Sequence, residues 1–470
     1  MVRTRFAPSP TGFIHVGNLR TAIFTYLIAK SDRNGKFLLR IEDTDQKRYV
    51  EGATEVVYET LKTCGLNWDE GPDIGGEFGP YIQSERVGSY KKFAEELIEK
   101  GEAYKCFCSE ERLNKLREEA QAKKVNFFYD GHCKNLTETE VEKKISDGEK
   151  FVVRQITPTE GETSFDCQVY GHITIQNDQI EDQILLKSDE FPTYNFANVI
   201  DDHAMNITHV VRGNEYLTST PKYTLLYRAF GWDEPTYVHL PHVVNHEGKK
   251  LSKRDGDGYF SEFVDKGYLP EAIVNFLALL GWSPEGKKEK FSLDKLEKVF
   301  SIKRINNSPA VFDLKKLNWM NSQYIRNMDS DRYIKMCRTY LTEEGITITN
   351  EQWLNDLCNL FKDRLDNVSQ IVDHHNDLFK PFHMEAESLE FLKENDCQKQ
   401  IDVFLDMLNS LEEWTAEKIK EAINKTGELT EVKGKLLFMP VRIATTGIMH
   451  GPDLPKALAL LGRETVLSNK

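Results

Sequence analysis

The chain has 470 residues, with 75 Asp and Glu against 61 Lys and Arg and a formal net charge of −14, which is long enough for several domains with full cores. It carries no run of the roughly 18 apolar residues a membrane helix needs, and its first residues lack the basic, apolar, small-residue order of a signal peptide. Membrane-spanning and exported classes are thereby disfavoured, and a cytoplasmic protein without a membrane partner is expected. The acidity does not exclude a nucleic-acid partner, because a local basic stripe can hold a polyanion on an acidic body.

Residues 2–7 read as a short apolar strand. The chain continues as Pro8-Ser9-Pro10-Thr11-Gly12-Phe13-Ile14-His15-Val16-Gly17-Asn18 into a helical stretch over 19–30, where Leu19, Ala22, Ile23, Tyr26 and Leu27 recur at helical spacing. A turn of Pro and Gly lets the backbone pass close to a ligand, and the new helix offers N–H groups and a positive dipole end to phosphate. His15, on that turn, can donate to a polyphosphate. A second strand over 37–41 leads into Arg40-Ile41-Glu42-Asp43-Thr44-Asp45, and helices over 52–64 and 84–100 complete the start of a parallel sheet.

From 101 to 190 the texture changes to a Cys-containing segment, a charged helix over 110–123 and strands at 151–153 and 172–175, read as an inserted α+β module. A strand at 207–211, a helix over 220–230 with Pro221 in its first turn and a strand at 236–240 resume the α/β pattern. Lys250-Leu251-Ser252-Lys253-Arg254 follows on a Gly-flanked loop, where Lys250 and Lys253 can neutralise charge that shifts during phosphate displacement. Beyond it, amphipathic helices are predicted at 270–280, 293–300, 329–344, 351–361, 385–393, 401–411, 416–424, 433–444 and 454–461.

The first string resembles the HIGH-type signature, and the lysine string the KMSKS-type signature, of class I aminoacyl-tRNA synthetases. Thr4-Arg5-Phe6-Ala7-Pro8-Ser9-Pro10-Thr11-Gly12, the Arg40 to Asp45 string and Lys250 to Arg254 further resemble bacterial glutamyl-tRNA synthetases, and family-like sequence runs from Val2 through Gly462. Glutaminyl relatives end in β-barrels, so a helical end favours the bacterial glutamyl branch. Shorter nucleotidyltransferases of the same superfold lack the helical extension, and intact His15, Lys250 and Lys253 argue against a non-catalytic RNA-binding relative.

The resemblance implies an α/β fold with a Rossmann-type parallel-sheet catalytic domain (1–100 and 191–255) split by an inserted α+β module that grips the tRNA acceptor end (101–190). A stem-contact region (256–322) and an all-α anticodon-binding region (323–470) follow. It implies ATP-dependent activation of L-glutamate to glutamyl-adenylate and transfer to the 3′ end of tRNA(Glu), with Mg2+, by a monomer that forms the adenylate efficiently only when tRNA is bound. His15, Lys250 and Lys253 take catalytic roles in this reading, and Pro8, Ser9, Gly12, His15, Gly17, Asn18, Glu215, Leu251, Ser252 and Lys253 bind ATP. Arg5, Ala7, Ser9, Glu42, Tyr194, Asn198 and Arg212 correspond to glutamate-contacting positions. The residue chemistry agrees: glutamate brings two carboxylates and an ammonium, guanidinium matches carboxylate bidentately, and Arg5, Glu42 and Arg212 all fall at predicted carboxyl ends of strands, where open α/β sheets bind ligands.

Eight cysteines (64, 106, 108, 133, 167, 337, 358, 397) scattered over so long a chain suit reduced thiols. Cys106, Cys108 and His132-Cys133 form the one cluster. Three thiols and an imidazole can make a tetrahedral zinc site, and some bacterial family members resemble this with Cys-x-Cys and a later Cys-x-His. Here Asn135 stands at that last position and His132 lies on the other side of Cys133, so zinc is expected to be absent or weakly held. Asp201-Asp202-His203 reads as structural rather than as a metal or acid/base site. Arg364 and Phe438-Met439-Pro440-Val441-Arg442 are the candidates for reading tRNA.

Overall fold

A computed structural model describes residues 1–45, 50–125, 127–251 and 258–468. They form two compact units, Met1–Phe263 with Ile273–Asp313, and Val264–Ala272 with Leu314–Lys470.

In the first unit, β1 (Arg3–Phe6) pairs in parallel with β2 (Lys36–Leu39), Arg3 opposite Lys36. Between them runs α1 (Val16–Lys30), buried from Leu19 through Ala29 except for Thr21. A helix apolar on nearly every side has no solvent face to keep, which explains its place against the sheet. Gly35 makes the tight return into β2: a Cβ there would stand 1.9 Å from the Ala29 carbonyl oxygen. Helices α2 (Ala53–Thr63) and α3 (Val87–Glu99) follow.

The inserted part contains an antiparallel sheet of β3 (Ala103–Cys106), β4 (Val152–Gln155) and a strand at Ile184–Leu186, together with helices α4 (Glu110–Ala122) and α5 (Glu138–Ser146). The strand foreseen at 172–175 is one arm of a hairpin, β5 (Glu162–Cys167) and β6 (Gly171–Gln176). Through Cys167 opposite Tyr237 this hairpin joins the main sheet rather than the antiparallel one. Alternation gives a strand's faces but not its partner, so the sequence could not assign it.

The α/β pattern resumes with α6 (Tyr194–Ala204), β8 (His209–Gly213), α7 (Thr220–Phe230) and β9 (Thr236–Leu240), β7 being the short strand at Ile184–Leu186. β8 and β9 are parallel, and a bond from Thr208 N–H to the Arg3 carbonyl (3.0 Å) sets β8 beside β1. Tyr90, Leu97, Phe196, Ile200, Leu226 and Phe230 make the core that clamps α3, α6 and α7 together. Short parallel strands β10 (Val243–Val244) and β11 (Ala310–Val311) complete this unit.

The second unit is helical. Helices Ser330–Glu343, Glu351–Phe361 and Gln370–Phe379 share a core of Tyr333, Cys337, Leu354, Phe361 and Ile371. Helices Gln398–Asn409, Ala416–Thr430, Lys435–Thr446 and Leu454–Leu461 share another, built on Phe404, Ile419, Ile423, Val441 and Leu458. The predicted helices recur within a few residues, and Leu314–Arg326 and Gln370–Phe379 are additions. Among the described residues no helix is long and apolar enough to cross a membrane.

Candidate active site

A cavity of about 310 Å³ opens at the carboxyl ends of β1, β8 and β9. The chain brings its walls together by backbone bonding: Glu42 N–H donates to the Pro8 carbonyl (3.0 Å), so the end of β2 lies against the turn after β1. Of the residues singled out from sequence, Arg5, Ala7, Pro8, Ser9, His15, Gly17, Asn18, Glu42, Tyr194, Arg212, Glu215, Lys250 and Leu251 all line it. Two others stand apart. Gly12 occupies a φ of +117° with open space where a Cβ would lie, and Asn198 is buried one helical turn past Tyr194, donating to its carbonyl oxygen (2.8 Å). Ser252 and Lys253 lie outside the described residues.

His15 caps α1. Its Nδ1 accepts the Gly17 N–H at 3.1 Å, so the neutral ring carries its proton on Nε2, the atom that can donate to a phosphate oxygen. No acidic residue sits in the first turn of α1 to offset the positive end of its dipole. Lys250 reaches the same cavity from a hairpin closed by Leu251 N–H to the Val243 carbonyl (3.2 Å) and Asn245 N–H to the Lys249 carbonyl (2.8 Å). Past the lysine string, Val16 N–H bonds the Gly258 carbonyl (2.8 Å) and Phe260 N–H the Ile14 carbonyl (3.1 Å). The segment beginning at Gly258 is thus bound through main chain to the first signature.

The opposite wall is charged and buried. Arg5 donates from Nε to Asp202 Oδ1 (2.8 Å), and Arg40 donates from Nη1 to the same oxygen (2.8 Å). Arg40 also donates from Nη2 to Glu42 Oε1 (2.9 Å). Burial alone would raise the Asp202 carboxyl, but Arg5 and Arg40 outweigh it and hold it below its ordinary value. For Glu42 burial wins, and its carboxyl is raised despite Arg40 and Arg5. Burial also lifts the Tyr194 phenol well above its usual range, leaving it a donor.

Arg212 donates from Nε to His239 Nε2 (3.3 Å) and from Nη2 to Thr220 Oγ1 (3.1 Å), with its guanidinium over the Tyr223 and Tyr216 rings at 4.5 and 5.2 Å. Burial and then Arg212 push His239 down to about 2. Glu215 folds back over Gly213, where a Cβ would stand 2.1 Å from the carboxylate.

Sequence reading missed Arg20, Arg40, Asp202 as an anchor of Arg5, and His239. Arg20 lines the cavity while buried, donating to the Leu280 and Pro241 carbonyls (both 2.7 Å), and burial lowers it to about 10. The available signal was an arginine inside a helix apolar on nearly every side. Asp201 is structural as expected, accepting from Gln83, Arg86 and Tyr90 at 2.8, 2.6 and 2.8 Å, and His203 stacks on Trp232 at 3.6 Å.

Elsewhere in this unit, the thiols of Cys106, Cys108 and Cys133 lie within 4.8 Å of one another, the only such metal-ligating group among the described residues. His132 does not join them: its side chain is exposed and its backbone N–H is held by Asp130. The Tyr129 hydroxyl takes that place, 3.3 Å from both Cys106 and Cys108 sulfurs. The three thiols are donors a tetrahedral zinc ion accepts, while the Tyr129 phenol, which burial pushes up and keeps protonated, is not among its usual ligands.

In the helical unit, Arg364 and Arg442 line a cavity of about 390 Å³ together with Phe379, Phe382 and a stacked Phe361–His374 pair (4.7 Å). Burial lowers Arg442, and Arg364 adds to the effect. Phe438 is 49% exposed and lies outside that cavity, whereas Pro440 is buried.

Residues 1–319 match the family described as tRNA synthetases class I (E and Q), catalytic domain. The chain belongs to that family. Residues 332–468 match the anticodon binding domain. Similar full-length proteins are the glutamate–tRNA ligases of Clostridium botulinum (strain Hall), 50% identical over 99% of this chain and 96% of the relative, and of Clostridium novyi (strain NT), 49% identical over the same shares. Among solved structures, a glutamate tRNA ligase from Elizabethkingia meningosepticum in complex with its amino acid is 34% identical with a TM-score of 0.90, covering 100% of this chain and 98% of that one. The glutamate-tRNA synthetase of Elizabethkingia anophelis matches over the same shares at 34% identity and a TM-score of 0.92.

Proposed function

We propose that this enzyme activates L-glutamate with ATP and transfers the glutamyl group to the 3′ end of tRNA(Glu), releasing pyrophosphate and AMP. One observation carries the reading: a single cavity presents His15, the start of α1 and Lys250 on one side and Arg5, Glu42 and Arg212 on the other. The first set suits a polyphosphate, and the second suits a molecule with two carboxylates and one ammonium.

Attack of the glutamate α-carboxylate on the α-phosphate needs no protein nucleophile; positioning and charge stabilisation suffice. Arg5 and Arg212 take carboxylates, Glu42 takes the ammonium, and Ser9, Ala7 and Tyr194 shape the remaining wall, with Asn198 held behind Tyr194. His15 donates from Nε2 to phosphate oxygens, while Lys250 and Lys253 neutralise charge as pyrophosphate leaves. Pro8, Gly17, Asn18, Glu215, Leu251 and Ser252 hold the nucleotide, and Gly12, at φ +117°, shapes the turn that carries Pro8 and Ser9. Mg2+ carried by ATP would add charge neutralisation on the phosphates.

In this reading residues 101–190 grip the acceptor end, 256–322 contact the stem and 323–470 bind the anticodon, with Arg364 and Arg442 facing RNA. The protein works as a cytoplasmic monomer. Aminoacylation of purified glutamate and glutamine tRNAs side by side tests the assignment. Charging of tRNA(Glu) is expected, and failure with both tRNAs would overturn it.

A further inference from the structure

Resting on the glutamate pocket just described, we propose that Asp202 is a positioning residue for glutamate: its carboxylate, with Arg40, sets the orientation of both Arg5 and Glu42. The four groups form a buried chain of alternating sign, Arg5–Asp202–Arg40–Glu42, each member between 0 and 4% exposed. Only the two ends line the cavity. Asp202 and Arg40 act from behind.

The bonds divide the donors and acceptors unevenly. Arg5 spends Nε on Asp202 (2.8 Å) and Nη1 on the Val211 carbonyl (3.4 Å), which leaves Nη2 to meet a carboxylate. Glu42 receives Arg40 on Oε1 through Nη2 (2.9 Å) and Nε (3.3 Å), which leaves Oε2 to meet an ammonium. One Asp202 oxygen is shared by both arginines, so moving it disturbs the carboxylate-binding and ammonium-binding ends together. The neighbouring carboxylate supplies the contrast. Asp201 is equally buried, and Arg40 Nε stands 3.9 Å from it, but its hydrogen bonds all come from Gln83, Arg86 and Tyr90, which stand outside the cavity.

The sequence spacing agrees with this division. Tyr194, Asn198 and Asp202 fall at i, i+4 and i+8 on α6, so one face of the helix runs from the substrate cavity to the anchor behind it.

The test is Asp202→Asn, which keeps the shape and removes the charge, assayed by aminoacylation with saturating tRNA. The glutamate KM should rise about tenfold to a hundredfold, the range of a lost charged hydrogen bond, while the ATP KM changes less than about twofold. An unchanged glutamate KM with a lowered melting temperature would overturn the proposal and leave Asp202 a fold anchor like Asp201. If the Asn variant fails to fold, Arg40→Lys takes its place: it keeps the charge but lacks the fork needed to hold Asp202 and Glu42 at once, and the same rise in glutamate KM is expected. Arg5→Ala run in parallel separates two failures. Should Arg5→Ala leave the glutamate KM unmoved, the pocket reading is wrong; should it raise that KM while Asp202→Asn and Arg40→Lys do not, only the positioning role falls.

Discussion

The Arg212 guanidinium donates through Nε to Nε2 of His239 at 3.3 Å, a bond that exists only while the imidazole is neutral. An arginine beside a buried histidine would be a like-charge clash if both were protonated. Here the histidine gives way, at about 2.

That shift makes stability depend on pH. The unfolded chain protonates His239 near its ordinary value of about 6.5 and the folded chain does not, so stability falls as pH drops below about 6.5, by at most about 1.4 kcal/mol per unit from this residue. His239→Gln keeps an acceptor for Arg212 and should flatten that slope. Urea unfolding at pH 7 and pH 5 measures it; identical slopes in parent and variant would show that His239 titrates normally.

Lys250 is exposed on its hairpin. Lys250→Ala should therefore slow glutamyl-adenylate formation by about 10²-fold or more and shift stability by less than about 0.5 kcal/mol, and Lys253→Ala, in the same signature, should slow it comparably. Single-turnover kinetics and a melting curve on the same preparations decide it. Losses of rate and melting temperature in step would mark these lysines as structural.

Arg5→Ala should raise the glutamate requirement sharply and leave ATP affinity near that of the parent. It should also cost stability, because Asp202 loses one of two buried cationic partners and breaking a buried pair costs about 3–5 kcal/mol. Glutamate and ATP titrations with a thermal melt cover all three outcomes, and overlaying glutamate curves would remove Arg5 from the pocket.

Efficient adenylate formation should require bound tRNA, a coupling between two ligands. The observation behind this is the α+β module inserted between the two halves of the α/β pattern, next in sequence to the residues of the cavity. Robust glutamate-dependent pyrophosphate exchange in the absence of tRNA would refute it.

At the thiol cluster, zinc added to chelator-treated protein should be held at most weakly, through Cys106, Cys108 and Cys133 with the Tyr129 hydroxyl beside them. Tyr129→Phe should weaken retention, and His132→Ala should not, since that imidazole lies on the surface. Metal analysis after dialysis distinguishes the two, and a stronger effect of His132→Ala would restore the imidazole as ligand.

Much of the site was readable from sequence because its parts are local. His15 sits on a turn whose Pro and Gly declare themselves, and Arg5, Glu42 and Arg212 follow runs that read as strands. Arg40, Asp202, His239 and Arg20 were not readable as partners. Arg40 meets Asp202 across 162 positions and Arg5 meets it across 197, and no periodicity encodes a meeting between distant segments. The β5 hairpin was lost for a related reason: a strand's pattern shows which side is apolar, not which neighbour covers it. His132, beside Cys133 in sequence, stays on the surface as its place suggested, while Tyr129, four residues before Cys133, reaches the sulfurs of Cys106 and Cys108.

Helix α6 also sets how this enzyme can change over evolutionary time. Point substitutions elsewhere on it leave the row of Tyr194, Asn198 and Asp202 in line. Loss or gain of a single residue between them would rotate everything downstream by about 100°, carrying Asp202 away from both arginines and Asp201 away from Gln83, Arg86 and Tyr90 in one event. Insertions and deletions should therefore be purged from the interior of this helix and gather in the exposed turn before it, around Ser188, Asp189 and Glu190.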